Sequence, residues 1–445
     1  MTRTEPGQDR PTASWGAPWD PVVRAMERRR PPLPRFRSPL RGPWLTSVFG
    51  VVLLVALPVV IITGLLSYVA YGPQFGQAIP GDVGILHLPL FDWPASPSWL
   101  YRLTQGLHVG LGMILIPVVL AKLWSVAPKL FDWPPVRSPA QALERLSLLL
   151  LVGGILFEIV TGLLNIQYDY VFGFSFYAAH YVGAWVFIGA FVAHVVLKLP
   201  HMVRGLRSRS LRAELRVPTS QTRPEEPDDD LGLVSEQPGP ATMSRRGVLA
   251  LVGGGSLLVA VLTAGQTLGG PLRGLAVLLP RGRNSAAADG GPNDFPVNKT
   301  FAVTGIEPGA VGAAWRLDLT GGAALVRLDL DALAAQPQHT ATLPIACVEG
   351  WSTTQTWTGV RLRDLAALAG VPAPASAVVR SLEKGAFAQA TLTSGQVLHP
   401  DALLATAVNG APLGPDHGYP ARVVVPALPG VHNTKWVRSI EFRSV

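Results

Sequence analysis

A single cysteine in 445 residues, Cys347, excludes any intramolecular disulfide and any cysteine-rich zinc or iron–sulfur site. If that residue matters chemically, it acts as one thiolate. Charge is scarce too: Asp, Glu, Lys and Arg make up 15% of the chain, against roughly 25% in an ordinary soluble protein. With 48% hydrophobic residues and a mean hydropathy of +0.31, this rules out a disordered chain and argues against a wholly soluble one. The net charge of +8 does not point to nucleic acid, because Lys and Arg gather before, between and after long apolar runs rather than along one folded face.

A membrane-crossing helix needs roughly 20 mostly apolar residues, and stretches at 45–71, 101–124, 146–166, 171–198 and 247–269 meet that requirement. Arg28, Arg29, Arg30, Arg35, Arg37 and Arg41 precede the first, whereas 71–100 contains no Lys or Arg, so the amino terminus is expected inside. Lys122, Lys129, Arg137 and Arg145 mark the next inner loop, Tyr168 and Tyr170 an outer turn, and Lys198, Arg204, Arg207, Arg209 and Arg212 the inside again. Five crossings put everything after about residue 270 outside. The resulting division is a basic cytoplasmic tail (1–44), a four-span bundle (45–204), a flexible cytoplasmic linker (205–243), a fifth span (244–270), a second linker (271–293) and an outer domain (294–445). Glu225, Glu226, Asp228, Asp229 and Asp230 make the first linker too polar to bury a core.

The outer domain reads as mixed α+β. Short apolar runs at Phe301–Ile306, Trp315–Leu319, Leu325–Leu328, Ala377–Leu382 and Arg422–Val425 predict strands, and Leu362–Ala369 predicts a helix closed by Gly370.

Three histidines fall inside the spans: His108 in the second, His180 and His194 in the fourth. Polar rings in lipid are functional candidates. The 14 residues from His180 to His194 amount to about four turns and roughly 21 Å, so both rings share one helix face near opposite sides of a bilayer. His108 and His180 lie at similar depth and are expected to supply both axial imidazoles to one haem near the outer surface; the alternative is that each ring hydrogen-bonds a neighbouring helix. A second haem on His194 lacks an evident partner, since the matching position of the second span is Lys122. Glu158, inside the third span, suits a proton relay, a quinone contact or a salt bridge to another span. Over about residues 40–205 the bundle resembles the cytochrome b family in its four-span, b561-like form, which implies haem b and exchange with the membrane quinone pool.

Ile345-Ala-Cys-Val-Glu-Gly-Trp-Ser352, continuing through Trp357-Thr-Gly-Val-Arg-Leu-Arg-Asp-Leu365, together with Asp416-His-Gly-Tyr-Pro-Ala-Arg422 and Asn433-Thr-Lys-Trp436, resembles the molybdopterin domain of the sulfite oxidase superfamily, especially its periplasmic methionine sulfoxide reductase branch. The resemblance implies a Mo-molybdopterin cofactor with Cys347 as the one protein ligand of molybdenum, and pterin contacts at Asn298, His417, Arg422, Asn433, Thr434 and Lys435. A soft thiolate suits such a metal. Phe301, Ala302 and His417 depart from that branch, which leaves the substrate open. No arginine follows Cys347 to hold an anion, and Trp351 and Trp357 suit a neutral oxygen donor.

Ser244-Arg-Arg-Gly-Val-Leu249 before the fifth span resembles a twin-arginine export signal, or serves only as a positive-inside flank. The expectation is thus a multi-pass cell-membrane oxidoreductase. Electrons pass from quinol through a b-type haem to an extracytoplasmic molybdenum centre that reduces a sulfoxide or N-oxide. The opposite direction, or a transporter or sensor carrying an inert binding domain, are the alternatives.

Overall fold

The computed structural model describes residues 20–29, 31–32, 34–72, 91–136, 138–166, 174–226, 232–278, 290–385 and 388–444. Arg30, Arg137, Tyr168, Tyr170 and Asp228–Asp230, used above for topology and for the linker, lie outside them. A short helix, α1 (Asp20–Arg28), precedes the apolar ones: α2 (Pro43–Ala70), α3 (Leu100–Ile114), α4 (Ile116–Leu130), α5 (Pro139–Asn165), α6 (Phe176–Arg207), then the single turn α7 (Leu211–Glu214) and α8 (Arg245–Leu268). Four of these are long and apolar enough to cross a membrane, and α3 with α4, bent by 41° at Leu115, adds a fifth if the pair is one span. The expected second span is therefore a broken helix.

By their contacts the residues form two compact units, one of Met1–Gly50, Ala121–Gly154 and Gly189–Val248, the other of Val51–Leu120, Ile155–Ile188 and Leu249–Val445. The first unit corrects the flexible linker. Glu214 and Glu225 are buried in it. Glu225 accepts from the backbone N–H of Trp44 in the first turn of α2 (3.0 Å), and Glu214 takes Arg209 (2.7 Å) and Arg245 (3.3 Å). Glu214 and Glu225 thus satisfy a helix start and two cations, so these two charges mark partners rather than an unfolded chain. Arg245, half of the twin-arginine pair, is buried in this cluster, whereas Arg246 is exposed.

Among the described residues the second unit holds ten strands: β1 (Leu317–Thr320), β2 (Val326–Leu328), β3 (Gln338–Ala346), β4 (Ser352–Arg361), β5 (Ser376–Ser381), β6 (Gln389–Thr393), β7 (Leu403–Val408), β8 (Ala411–Pro412), β9 (Arg422–Val424) and β10 (Val437–Arg443). One sheet runs β2-β1-β10-β5-β6, with β1 and β10 parallel; the other runs β3-β4-β7-β8, with β9 also on β7. Leu362–Leu368 is helical, and Gly370 beyond it takes φ +80°, where a left-handed C-cap favours glycine. Phe301–Ile306 is not a strand. Phe301–Val303 is a 3₁₀ turn whose first amide donates to Asp416 Oδ1 (2.7 Å), and Gly305 at φ +69° breaks the extended path.

The strand core is not closed by the strands alone. Val69, Ala70, Trp93 and Tyr101, from the end of α2, the segment before α3 and α3 itself, pack in the same buried cluster as Leu317, Leu404, Val423 and Ile440. A boundary at residue 294 therefore cuts through one core, because the ends of the apolar helices supply part of its apolar lining.

Candidate functional site

Cys347 is the first residue after β3 and opens a five-residue loop into β4. Its N–H donates to Trp351 O (2.9 Å), and its carbonyl accepts from Gly350 N–H (3.0 Å). Gly350 has φ +89°, so the turn needs a residue without a Cβ. The sulfur-bearing side chain is 1% exposed and lines a small cavity with Asn298, Arg422, Lys435, Phe295 and Trp351.

Several polar groups of this region lack partners. Arg422 Nε, Thr434 Oγ1 and His417 Nδ1 are buried without a hydrogen bond. Burial pushes Arg422 down to about 10 and holds Lys435 well below its usual range, with Arg422 adding to the latter. Burial, then the nearby Arg422 charge, lowers His417 to about 3, so its ring is neutral near pH 7. The unspent Arg422 Nε and Thr434 hydroxyl, beside Lys435, whose Nζ also donates to Lys299 O (2.9 Å) and Asp416 O (2.7 Å), fit a phosphate-bearing pterin. Four of the residues expected to bind it, Cys347, Asn298, Arg422 and Lys435, meet in one cavity. His417 stacks on Phe295 (3.7 Å) and bonds Asn293 O through Nε2 (2.8 Å). Asn433, expected to contribute through its peptide unit, spends its side chain on Val425 N (2.7 Å) and Pro429 O (3.4 Å), where it shapes the loop. Trp357 does not reach the cavity either. It faces the core from β4 against Phe295, donating to Leu343 O.

His108 and His180 come together as expected, with ring centroids 6.0 Å apart and planes at 82°. Two imidazoles sharing a metal at about 2 Å per nitrogen would have centroids roughly 6 Å apart. His108 Nδ1 bonds Val60 O (2.9 Å), which requires the proton on Nδ1. His180 Nδ1 meets Thr161 Oγ1 (3.0 Å) and Glu158 Oε2 (3.1 Å). Because that hydroxyl donates to Phe157 O (2.7 Å), it accepts from the ring. Both Nδ1 atoms are thus oriented from outside, leaving each Nε2 lone pair as a ligand, the arrangement of a supported metal imidazole. The rings border an apolar cavity of about 190 Å³ whose wall also includes Gln105, Tyr177 and Val348. The donor set, two imidazoles each presenting Nε2 to an apolar cavity, fits a haem. Among the expected roles of Glu158, the geometry gives it a contact to His180.

His194 and Lys122 belong to the other unit. Lys122 Nζ donates to Thr46 O (2.7 Å).

Sequence reasoning missed His432, Tyr71, Gln105, Gln266 and Thr267. His432 is 2% exposed, burial lowers it to about 4, both its nitrogens lack partners, and it lies edge-on to Tyr71 at 5.4 Å. Gln105 and Gln266 had a legible signal, an amide inside an apolar span that must find a partner.

Residues 305–445 match the family described as oxidoreductase molybdopterin binding domain. The uncharacterized oxidoreductase YuiH of Bacillus subtilis is 39% identical over 116 residues, 26% of this chain and 58% of that one. Mitochondrial sulfite oxidase of Mus musculus is 32% identical over 159 residues, 29% of each chain. This chain therefore spans 58% and 29% of those two relatives' lengths. Sulfane dehydrogenase SoxCD of Paracoccus pantotrophus matches at 25% identity over 30% of this chain and 39% of that one, with a TM-score of 0.28, too slight to carry an argument. The carboxy-terminal part is a sulfite oxidase-type molybdopterin-binding oxidoreductase domain, an enzyme domain.

Proposed function

We propose that this chain is a multi-pass, molybdopterin-dependent membrane oxidoreductase that draws electrons from the quinone pool and reduces a small neutral oxygen donor, a sulfoxide or N-oxide, outside the membrane. The observation that carries it is that Val348, next to Cys347, forms part of the wall of the cavity bordered by His108 and His180. The presumptive metal ligand and the paired imidazoles thus adjoin one another. A molybdenum centre supplies two-electron oxygen-atom exchange, and a b-type haem supplies single-electron exchange.

The chain's own residues do the rest. Cys347 would ligate the molybdenum and Arg422 and Lys435 would hold the pterin's phosphate, while the neutral His417, stacked on Phe295, adds no charge. Val60, Thr161 and Glu158 hold the two Nδ1 atoms so that the imidazoles present Nε2. Phe295 and Trp351 give the cavity an apolar wall suited to a neutral substrate. The amino terminus is cytoplasmic and the twin-arginine machinery exports the outer domain; on this reading Arg246→Lys, which spares the buried Arg245 cluster, reduces the outward placement of a carboxy-terminal reporter.

The test is optical. Full-length protein reduced by quinol is expected to show a b-type absorption band that returns to the oxidised form on adding methionine sulfoxide, while sulfite leaves oxidised protein unchanged. Cys347→Ser keeps the band and slows its reoxidation by about a hundredfold or more. Reduction by sulfite with no response to any sulfoxide or N-oxide assigns the opposite direction.

A further inference from the structure

The loop carrying Cys347 is held from outside the strands that flank it. Its three carbonyls after the cysteine each accept a hydrogen bond from an apolar helix. Gln105 Nε2 of α3 donates to Val348 O, Gln266 Nε2 of α8 to Glu349 O, and Thr267 Oγ1 of α8 to Gly350 O (3.0 Å). Ser352 Oγ at the start of β4 answers by donating to Thr267 O (2.6 Å), which also accepts from Arg102 Nε (3.2 Å). Gln105 and Gln266 are 5% and 2% exposed. The fit allows no side chain at position 350: a Cβ at Gly350 would lie 2.6 Å from Gln266 Nε2 and 2.8 Å from Val109 Cβ. The loop's two backbone bonds and the bond from Trp351 Nε1 to Glu349 Oε2 (2.8 Å) close the turn on itself. Three consecutive carbonyls turned toward apolar helices must find donors there or remain unsatisfied, and amides within apolar spans must find acceptors.

We propose that Gln105, Gln266 and Thr267 are positioning residues for Cys347, so that the helices complete the metal-binding loop of the outer domain. The inference rests on the proposed function only for the role of Cys347 as a ligand; the clamp itself is independent of it. Losing a donor frees the loop to swing the sulfur out of its buried position.

Because Cys347 is the only cysteine, a thiol reagent reads this loop alone. The full-length chain is purified in detergent from a host that makes no molybdopterin, and the rate of labelling by a small maleimide is measured. Thr267→Val, which keeps the shape and removes the donor, and the pair Gln105→Leu with Gln266→Leu are each expected to label about tenfold faster than wild type. Thr267→Ser, which keeps the hydroxyl, labels at the wild-type rate. Gly350→Ala disturbs the contact from the loop side and is expected to accelerate labelling too, which covers a glutamine pair that fails to fold. Trp93→Phe removes a different bond between this helical region and the strands, that from Nε1 to Ala427 O (2.7 Å), and leaves the rate unchanged if the effect belongs to the clamp. Wild-type rates in Thr267→Val and Gly350→Ala, or equal acceleration in Trp93→Phe, overturn the proposal. In chains made with the cofactor, molybdenum content per chain falls in the same variants. Wild-type protein that never holds molybdenum, yet shows the labelling pattern, defeats the proposed function and leaves the clamp standing.

Discussion

Helix α6 carries two histidines 14 residues apart, and α2 with the broken pair α3–α4 furnishes different partners beside each. Near His180, Val60 O takes His108 Nδ1, and Gly64 gives that ring its space: a Cβ there would lie 2.6 Å from His108 Cε1. Fourteen residues away on each helix stand Thr46, Gly50, Lys122 and His194. Thr46 O takes Lys122 Nζ, a Cβ at Gly50 would lie 3.3 Å from that nitrogen, and Lys122 is within electrostatic range of His194. The backbone builds the same niche twice, a carbonyl to orient a side chain and a glycine to admit it. What separates the two is one residue type. A protonated amine has three donors and no lone pair to give a metal, whereas a neutral imidazole has one of each. On the proposed function, the comparison teaches that one side chain, rather than the fold, is what would keep a haem from the second niche.

The largest expected effect is on the outer pair: His108→Ala and His180→Ala each abolish the b-type absorption band, whereas His194→Ala keeps it. Loss of the band in His194→Ala alone would move the haem to the other niche. Lys122→His is expected to raise haem content, measured as a pyridine complex, from one per chain toward two, because the niche already has its glycine and orienting carbonyl. An unchanged content would show that more than the ligand separates the sites. The smallest effect distinguishes the glycines. Gly64→Ala meets an aromatic ring and should weaken haem retention about tenfold, within the range for groups that support a metal ligand, while Gly50→Ala meets the end of a flexible side chain and should leave retention unchanged.

Much of this organisation could be read from residue patterns. The apolar runs fell on the long helices, although α5 begins seven residues before its run and α6 ends nine residues after its own; four of five strand expectations fell on strands, and the cysteine stood at a strand end before a glycine turn. Pairing His108 with His180 needed only depth and helix direction. The failures share a cause, namely that long-range partners are invisible locally. Phe301–Ile306 has strand composition, but Asp416, more than a hundred residues on, captures its first amide. Glu214 and Glu225 look like solvent-facing charge until Arg245 is seen between them. Trp357 sits ten residues after the cysteine, yet strand alternation turns it into the core. Gln105 and Gln266 carry no charge, yet an amide in hydrocarbon needs a partner as an ionisable group does.

The shared core has a consequence for how the protein is assembled. Val69, Ala70, Trp93 and Tyr101 complete the apolar interior of the strands. On the proposed route the outer domain binds its cofactor in the cytoplasm and crosses already folded, and so it crosses with that side of its interior bare. Its last apolar contacts close only when it meets the ends of the first two spans, at the same step in which Trp93 reaches Ala427 O. Docking thus becomes the final stage of maturation, and a copy that never docks displays an uncovered apolar patch that marks it for proteolysis.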